Sequence, residues 1–143
     1  MRATGAAPAL LVGADFGALA VLDVLLRYGD LVHAAVLVDP PAYMFVPEAT
    51  EALSEQRDEL EAELREGGPE ALERERGRVV DFGAIASLPL GRGILREVDV
   101  PVRIVLSPRA REHDRAAAAA LLEALPTAEP ADDVVSAVTE LAT

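Results

Sequence analysis

Residues 9–41, ALLVGADFGALAVLDVLLRYGDLVHAAVLVDPP, limit most strongly what this chain can fold into. Ala9 to Val12 is apolar without alternation, as expected of a strand covered on both faces. Gly13 and Gly17 then flank a sharp turn, with one carboxylate, Asp15, between them. A chain that reverses out of a strand brings the next helix against the sheet, and residues without a side chain permit that approach. From Phe16 to Leu26 only Asp23 is charged, so this helix is apolar nearly all round and belongs at the centre of the molecule. His33 to Val38 is β-favouring again. Asp39-Pro40-Pro41 ends it, because proline donates nothing to a ladder. Two strands joined through a helix by short connections make a right-handed parallel unit.

The 143 residues suffice for one domain with a real core. Apolar residues make up 51% and aromatics only 3%, so that core is built from Ala, Leu and Val. A formal net charge of −12 argues against nucleic acid and anionic membrane as partners, since both require a cationic surface. With no cysteine, disulfides and thiolate zinc sites are excluded, and no cofactor or metal is expected. No apolar run reaches membrane-spanning length, and the N-terminus lacks the charged-then-apolar form of a secretion signal. The expectation is a soluble cytoplasmic protein.

After Val46 the composition changes. PEATEALSEQRDELEAELREGG has proline near its start and Gly-Gly at its end, which frames a helix. Ala49, Leu53, Leu60 and Leu64 form a thin apolar stripe on it, and Glu61–Arg65 is an i,i+4 pair worth about 0.3 kcal/mol. Residues 69–80 read as a second charged helix and 83–93 as a looser connector. Val100 to Leu106 is a further strand, with Pro101 tolerated at its start and Arg103 an odd charge that implies an open face nearby. A helix starts at Arg111 and runs through an alanine tract to Leu125; a final helix, Asp132 to Leu141, follows with no strand between. The expected architecture is a three-layer α/β/α domain with a small parallel sheet of about three strands in sequence order. Residues 1–46 and 94–143 form its α/β core, and 47–93 a helical lid-like insertion.

The pattern G-x-nucleophile-x-G between a strand and a helix, here Gly13-Ala14-Asp15-Phe16-Gly17, resembles the nucleophile elbow of α/β-hydrolases. The resemblance continues through LDVLLRYGDLVHAAVLVDPP, which is similar to the helix and strand that follow the elbow. ILREVDVPVRIVLSP is similar to the strand after the lid, and LLEALP and PADDVVSAVTELA to the last two helices. The resemblance implies a partial α/β-hydrolase fold, truncated ahead of the elbow and lacking the last strand and the catalytic-histidine loop, whose place falls between Glu129 and Pro130. It implies that Asp15 stands at the nucleophile position and that the Phe16 N–H is an oxyanion donor. Aspartate there resembles haloalkane dehalogenases and epoxide hydrolases, in which the carboxylate attacks carbon to form an ester. Ester hydrolysis then requires water activated by histidine.

The supporting groups do not fall where that family has them. The acid's place falls on Arg109 or Ala110, with Asp114 about one helical turn away. The two histidines are His33, at the start of the second strand, and His113, just before the alanine helix. Asp15 also reads as a helix N-cap, worth about 1 kcal/mol. The expected function is that of a catalytically degenerate, hydrolase-like protein with a binding or structural role. The alternative is a small hydrolase that uses Asp15 with groups supplied by a partner. VGADFGAL with Asp39 also resembles a dinucleotide fingerprint, so a Rossmann-type fragment is a further reading, although Asp15 would repel a pyrophosphate. Exposed sheet edges invite pairing, and the expected partners are a second copy or another chain, with a small-molecule ligand possible.

Overall fold

The computed structural model describes residues 8–143, with the side chains of 84–87 left aside. Strand β1 (Ala9–Ala14) leads into helix α1 (Phe16–Tyr28), a short 3-10 turn and strand β2 (Val32–Val38). Helices α2 (Ala49–Arg74), α3 (Arg76–Ser87) and α4 (Arg92–Leu95) follow, then β3 (Val102–Val105), α5 (Glu112–Ala124), β4 (Ala128–Ala131) and α6 (Val134–Leu141). The four strands form one sheet in the order β1-β2-β3-β4, all parallel.

The small parallel sheet in sequence order is as expected, with four strands where about three were expected; the added strand, β4, stands where the sequence reads straight from α5 into α6. Two properties hid β4. It is only four residues long, and Pro130 sits inside it. Proline is tolerated in an edge strand when its missing N–H faces away from the neighbour. The Val102 N–H donates to the Thr127 carbonyl at 3.2 Å, so alternate residues Ala128 and Pro130 turn their backbone groups outward.

The two faces of the sheet are covered unequally. On one, Leu19, Leu22 and Leu25 of α1, Leu121 of α5 and Leu125 just after it bury against Ala35, Leu37, Val102 and Ile104. Each such leucine contributes on the order of 2 kcal/mol of transfer free energy. The other face carries a smaller cluster, Val36, Val105 and Ala137, completed by Val134, Val138 and Leu141 of α6. Arg103 lies beside that cluster with its side chain 12% exposed. Its guanidinium reaches Glu140 of α6 at 2.8 Å and Glu129 of β4 at 2.9 Å. The face expected to be open around Arg103 is thus closed by two carboxylates, and the hydrogen bond to Glu140 holds the Arg103 guanidinium further toward its charged form.

The insertion is mostly solvated. Within α2 only Ala49, Leu60 and Ala71 are buried, and the helix bends at Gly68, whose φ is 59°. Glu61 pairs with Arg57 at 3.7 Å instead of with Arg65.

Candidate functional site

The elbow is shaped by backbone geometry. Asp15 has φ 50° and ψ −126°, a conformation that costs a non-glycine residue about 1–3 kcal/mol. Its N–H donates to the Val38 carbonyl at 2.9 Å, and its carbonyl accepts from the Ala18 N–H at 2.9 Å. A Cβ on Gly13 would lie 2.4 Å from the Gly17 carbonyl oxygen and 2.8 Å from the Ala18 nitrogen, so the turn closes only if residue 13 has no side chain. A Cβ on Gly17 would meet nothing within 4 Å; Gly17 contributes the backbone that Gly13 approaches.

Asp15 is exposed, and its side chain makes no cap hydrogen bond. The N-cap role expected of it is not realised. A capping residue takes extended backbone angles that aim its oxygen at the N2 or N3 N–H, whereas Asp15 has the positive φ of the elbow. Phe16, the first residue of α1, is half-buried against the main core, and its N–H has no acceptor within the helix.

The Asp15 carboxylate opens onto a cleft of about 570 Å³ at the carboxyl ends of the strands. Asp39, at the end of β2, lines it as well. This residue also has positive φ, 44°; its N–H donates to the Val105 carbonyl at 3.0 Å, and its Oδ1 accepts the Ser107 N–H at 2.8 Å. These bonds fasten the end of β2 to the loop after β3. From that loop Ser107 and Arg109 complete one wall.

The opposite wall is a knot of side chains. The Tyr43 hydroxyl donates to Oδ1 of the buried Asp114. Oδ2 accepts the Arg111 N–H at 2.8 Å and Arg111 Nε at 3.3 Å. Burial pushes the Asp114 carboxyl up, but the hydrogen bonds from Tyr43 and Arg111 outweigh burial and hold it below the usual carboxylate range. Burial, reinforced by donation to that carboxylate, pushes the Tyr43 phenol up.

Neither imidazole lines this cleft. His33 is exposed at the start of β2, with Nδ1 3.1 Å from the Pro8 carbonyl oxygen. His113 lines a neighbouring cleft of about 380 Å³ with Val46, Glu48 and Ala116. Its ring meets that of Tyr43 edge-on, centroids 5.1 Å apart. Its Nε2 is buried without a hydrogen-bond partner, 3.7 Å from Asp114 Oδ1. In the turn after β4, Asp133 caps α6 by accepting the Ser136 N–H at 2.9 Å. Among the described residues no group of His, Cys, Asp and Glu could hold a metal ion, and no helix is long and apolar enough to cross a membrane.

Of the positions singled out in the sequence, Asp15, Asp39, Arg109 and Asp114 come together around one cleft; His33 lies apart, and His113 stands behind Tyr43 and Asp114 without lining it. Tyr43 and Ser107 went unread. The rule that ligands of open α/β sheets bind beyond the carboxyl ends of the strands would have found Ser107. Tyr43 carries no local signal, because its partner is 71 residues away.

No protein-family model matches the chain, and no curated protein matches it. Solved structures do match. An α/β-hydrolase from Sphaerobacter thermophilus is 15% identical with a TM-score of 0.64, over 99% of this chain and 70% of that one. Rv0554 from Mycobacterium tuberculosis is 17% identical with a TM-score of 0.59, over 92% of this chain and 59% of that one. An esterase from Rhodococcus sp. is 20% identical with a TM-score of 0.53, over 99% and 66%. This chain thus spans about three-fifths of the length of the mycobacterial protein. At such identities the likeness speaks for the fold: the chain has a partial α/β-hydrolase fold.

Proposed function

With a partial α/β-hydrolase fold as its scaffold, we propose that this protein is a catalytically degenerate, hydrolase-like domain that binds a small polar molecule in the Asp15 cleft. One observation carries the reading: an exposed carboxylate at a strained elbow faces a polar cleft that no imidazole lines. A carboxylate can attack carbon unaided, but releasing the resulting ester takes a base that activates water. Asp15, Asp39, Arg109 and Ser107 offer charges of both signs and a hydroxyl to a polar ligand. A dinucleotide is disfavoured, because two carboxylates stand where a pyrophosphate would approach.

The second reading is a hydrolase that uses Asp15 as nucleophile and Phe16 N–H as oxyanion donor, with a partner supplying the base. The backbone strain retained at Asp15 favours it, since strain of this kind clusters at reactive positions. Intact-mass spectrometry after exposure to a panel of epoxides and haloalkanes separates the two. The binding reading expects no covalent adduct and no product. A mass increase mapped to Asp15 and absent from Asp15→Asn would transfer the assignment to the hydrolase.

A further inference from the structure

The two edges of the sheet are built differently. At the outer edge of β4, Pro130 removes an N–H, and the adjacent Glu129 is exposed and charged. Both features block strand addition. At the outer edge of β1 the sequence is ALLVGA, without proline or charge. Asp15 and its odd-numbered predecessors turn their backbone groups toward β2, as the bond from the Asp15 N–H to Val38 shows. Leu10, Val12 and Ala14 therefore point theirs outward, and no described residue pairs with them.

The same three side chains share a face. Leu11 packs against the α1 core and Gly13 abuts Gly17, so by strand alternation Leu10, Val12 and Ala14 lie on the opposite face. There α6 packs over β2 and β4, and Val12 is left 49% exposed. An all-parallel sheet ordinarily has both faces covered. Among the described residues an edge without a paired strand and an uncovered apolar strip coincide here.

We propose that β1 pairs with β1 of a second copy, antiparallel about a two-fold axis through Val12, to form one continuous sheet across a dimer. The strip is self-complementary in that register: Val12 faces Val12, Leu10 faces Ala14, and each pair exchanges two backbone hydrogen bonds. No charge is brought against a like charge along the strand. Because β4 is blocked, one edge per chain can pair, so the contact is isologous and closes at two copies instead of growing into a filament. In this register Asp15 lies opposite Ala9 of the partner subunit, so the second copy borders the elbow. The net charge of −12 on each chain opposes association, and added salt shifts the equilibrium toward the dimer.

Light scattering at micromolar concentration is expected to give twice the 15.1 kDa chain mass. Leu10→Lys, with its circular dichroism unchanged, is expected to give the single-chain mass. Because the chain contains no cysteine, introduced thiols are unique. Val12→Cys should form a disulfide dimer under mild oxidation, since opposed Cα atoms in such a pair lie about 5.5 Å apart, inside the range a disulfide spans. Leu10→Cys should not cross-link to itself, its equivalents being roughly 14 Å apart, yet should cross-link when mixed with Ala14→Cys. A monomeric wild-type protein would overturn the proposal. So would a dimer that survives Leu10→Lys, or Leu10→Cys cross-linking to itself as fast as Val12→Cys.

Discussion

The two walls of the cleft are made by different means. The elbow wall is a backbone structure: a positive φ at Asp15, a contact between Gly13 and Gly17 too close for a side chain, and an N–H anchored on Val38. The facing wall is a side-chain structure, with Tyr43 and Arg111 converging on the buried Asp114. A backbone wall tolerates exchange of its exposed side chain but not of the glycine that lets it close. The knot has the opposite sensitivities: none of its residues has a positive φ, and everything depends on one carboxylate. The elbow's shape thus does not depend on which side chain stands at position 15.

Gly13→Ala tests the backbone wall most severely. The new methyl would meet the Gly17 carbonyl oxygen at 2.4 Å, and both atoms belong to chain segments fixed by the sheet and α1. Overpacking against backbone predicts a loss of about 3 kcal/mol, read from the urea midpoint. A loss below about 1 kcal/mol would mean that the elbow yields and is not a rigid wall.

Asp114→Ala tests the knot. It leaves the buried Tyr43 hydroxyl and the Arg111 N–H without their acceptor, which costs about 2 kcal/mol at neutral pH. The pH dependence follows from the direction of the shift. In the folded state Asp114 is held below its unfolded value, so the unfolded chain binds more protons between the two. The stabilisation is therefore fully present above the usual carboxylate value of about 4 and drains away as pH falls through the folded value. The gap between wild type and Asp114→Ala should narrow when urea titrations at pH 7 are repeated near pH 3. A gap that widens in acid would mean that Asp114 is protonated in the folded protein.

This division also decides how much could be read from the sequence. The elbow was legible because its requirements are local: two glycines four residues apart, an apolar strand before and an apolar helix after. The parallel sheet followed from the same stretch. The knot was illegible because Tyr43 lies 71 residues from Asp114; the local pair Arg111–Asp114, three residues apart, carries no sign of that third member. The strand β4 was missed for a related reason. A proline reads locally as a stop, and only the neighbouring β3 reveals that its missing N–H points outward. The N-cap reading of Asp15 failed because residue type signals a cap, whereas the backbone angle decides whether the oxygen can reach.

Asp15→Gly separates the elbow's geometry from its side chain. Glycine adopts the elbow angles freely, so the strain of about 1–3 kcal/mol is released, while its extra freedom in the unfolded chain takes back about 0.5–1 kcal/mol. The net expectation is a gain of about 1 kcal/mol, seen as a higher melting temperature. A lower one would show that the carboxylate stabilises the fold by a contact of its own, and the claim that the elbow is a backbone structure would fail.

Gly17→Ala is the smallest and most discriminating test. Gly13 and Gly17 are indistinguishable as residues, and a sequence reading assigns both the same task. The space around them differs: a Cβ at 17 meets nothing within 4 Å, and the position lies within the first turn of α1. Alanine there loses less backbone freedom on folding and favours the helix, so the variant should gain up to about 0.5 kcal/mol. Measured beside Gly13→Ala in the same titration, the two substitutions should move the urea midpoint in opposite directions. Equal losses would mean that the turn needs two bare positions, and the one-sided contact at Gly13 would not be what closes the elbow.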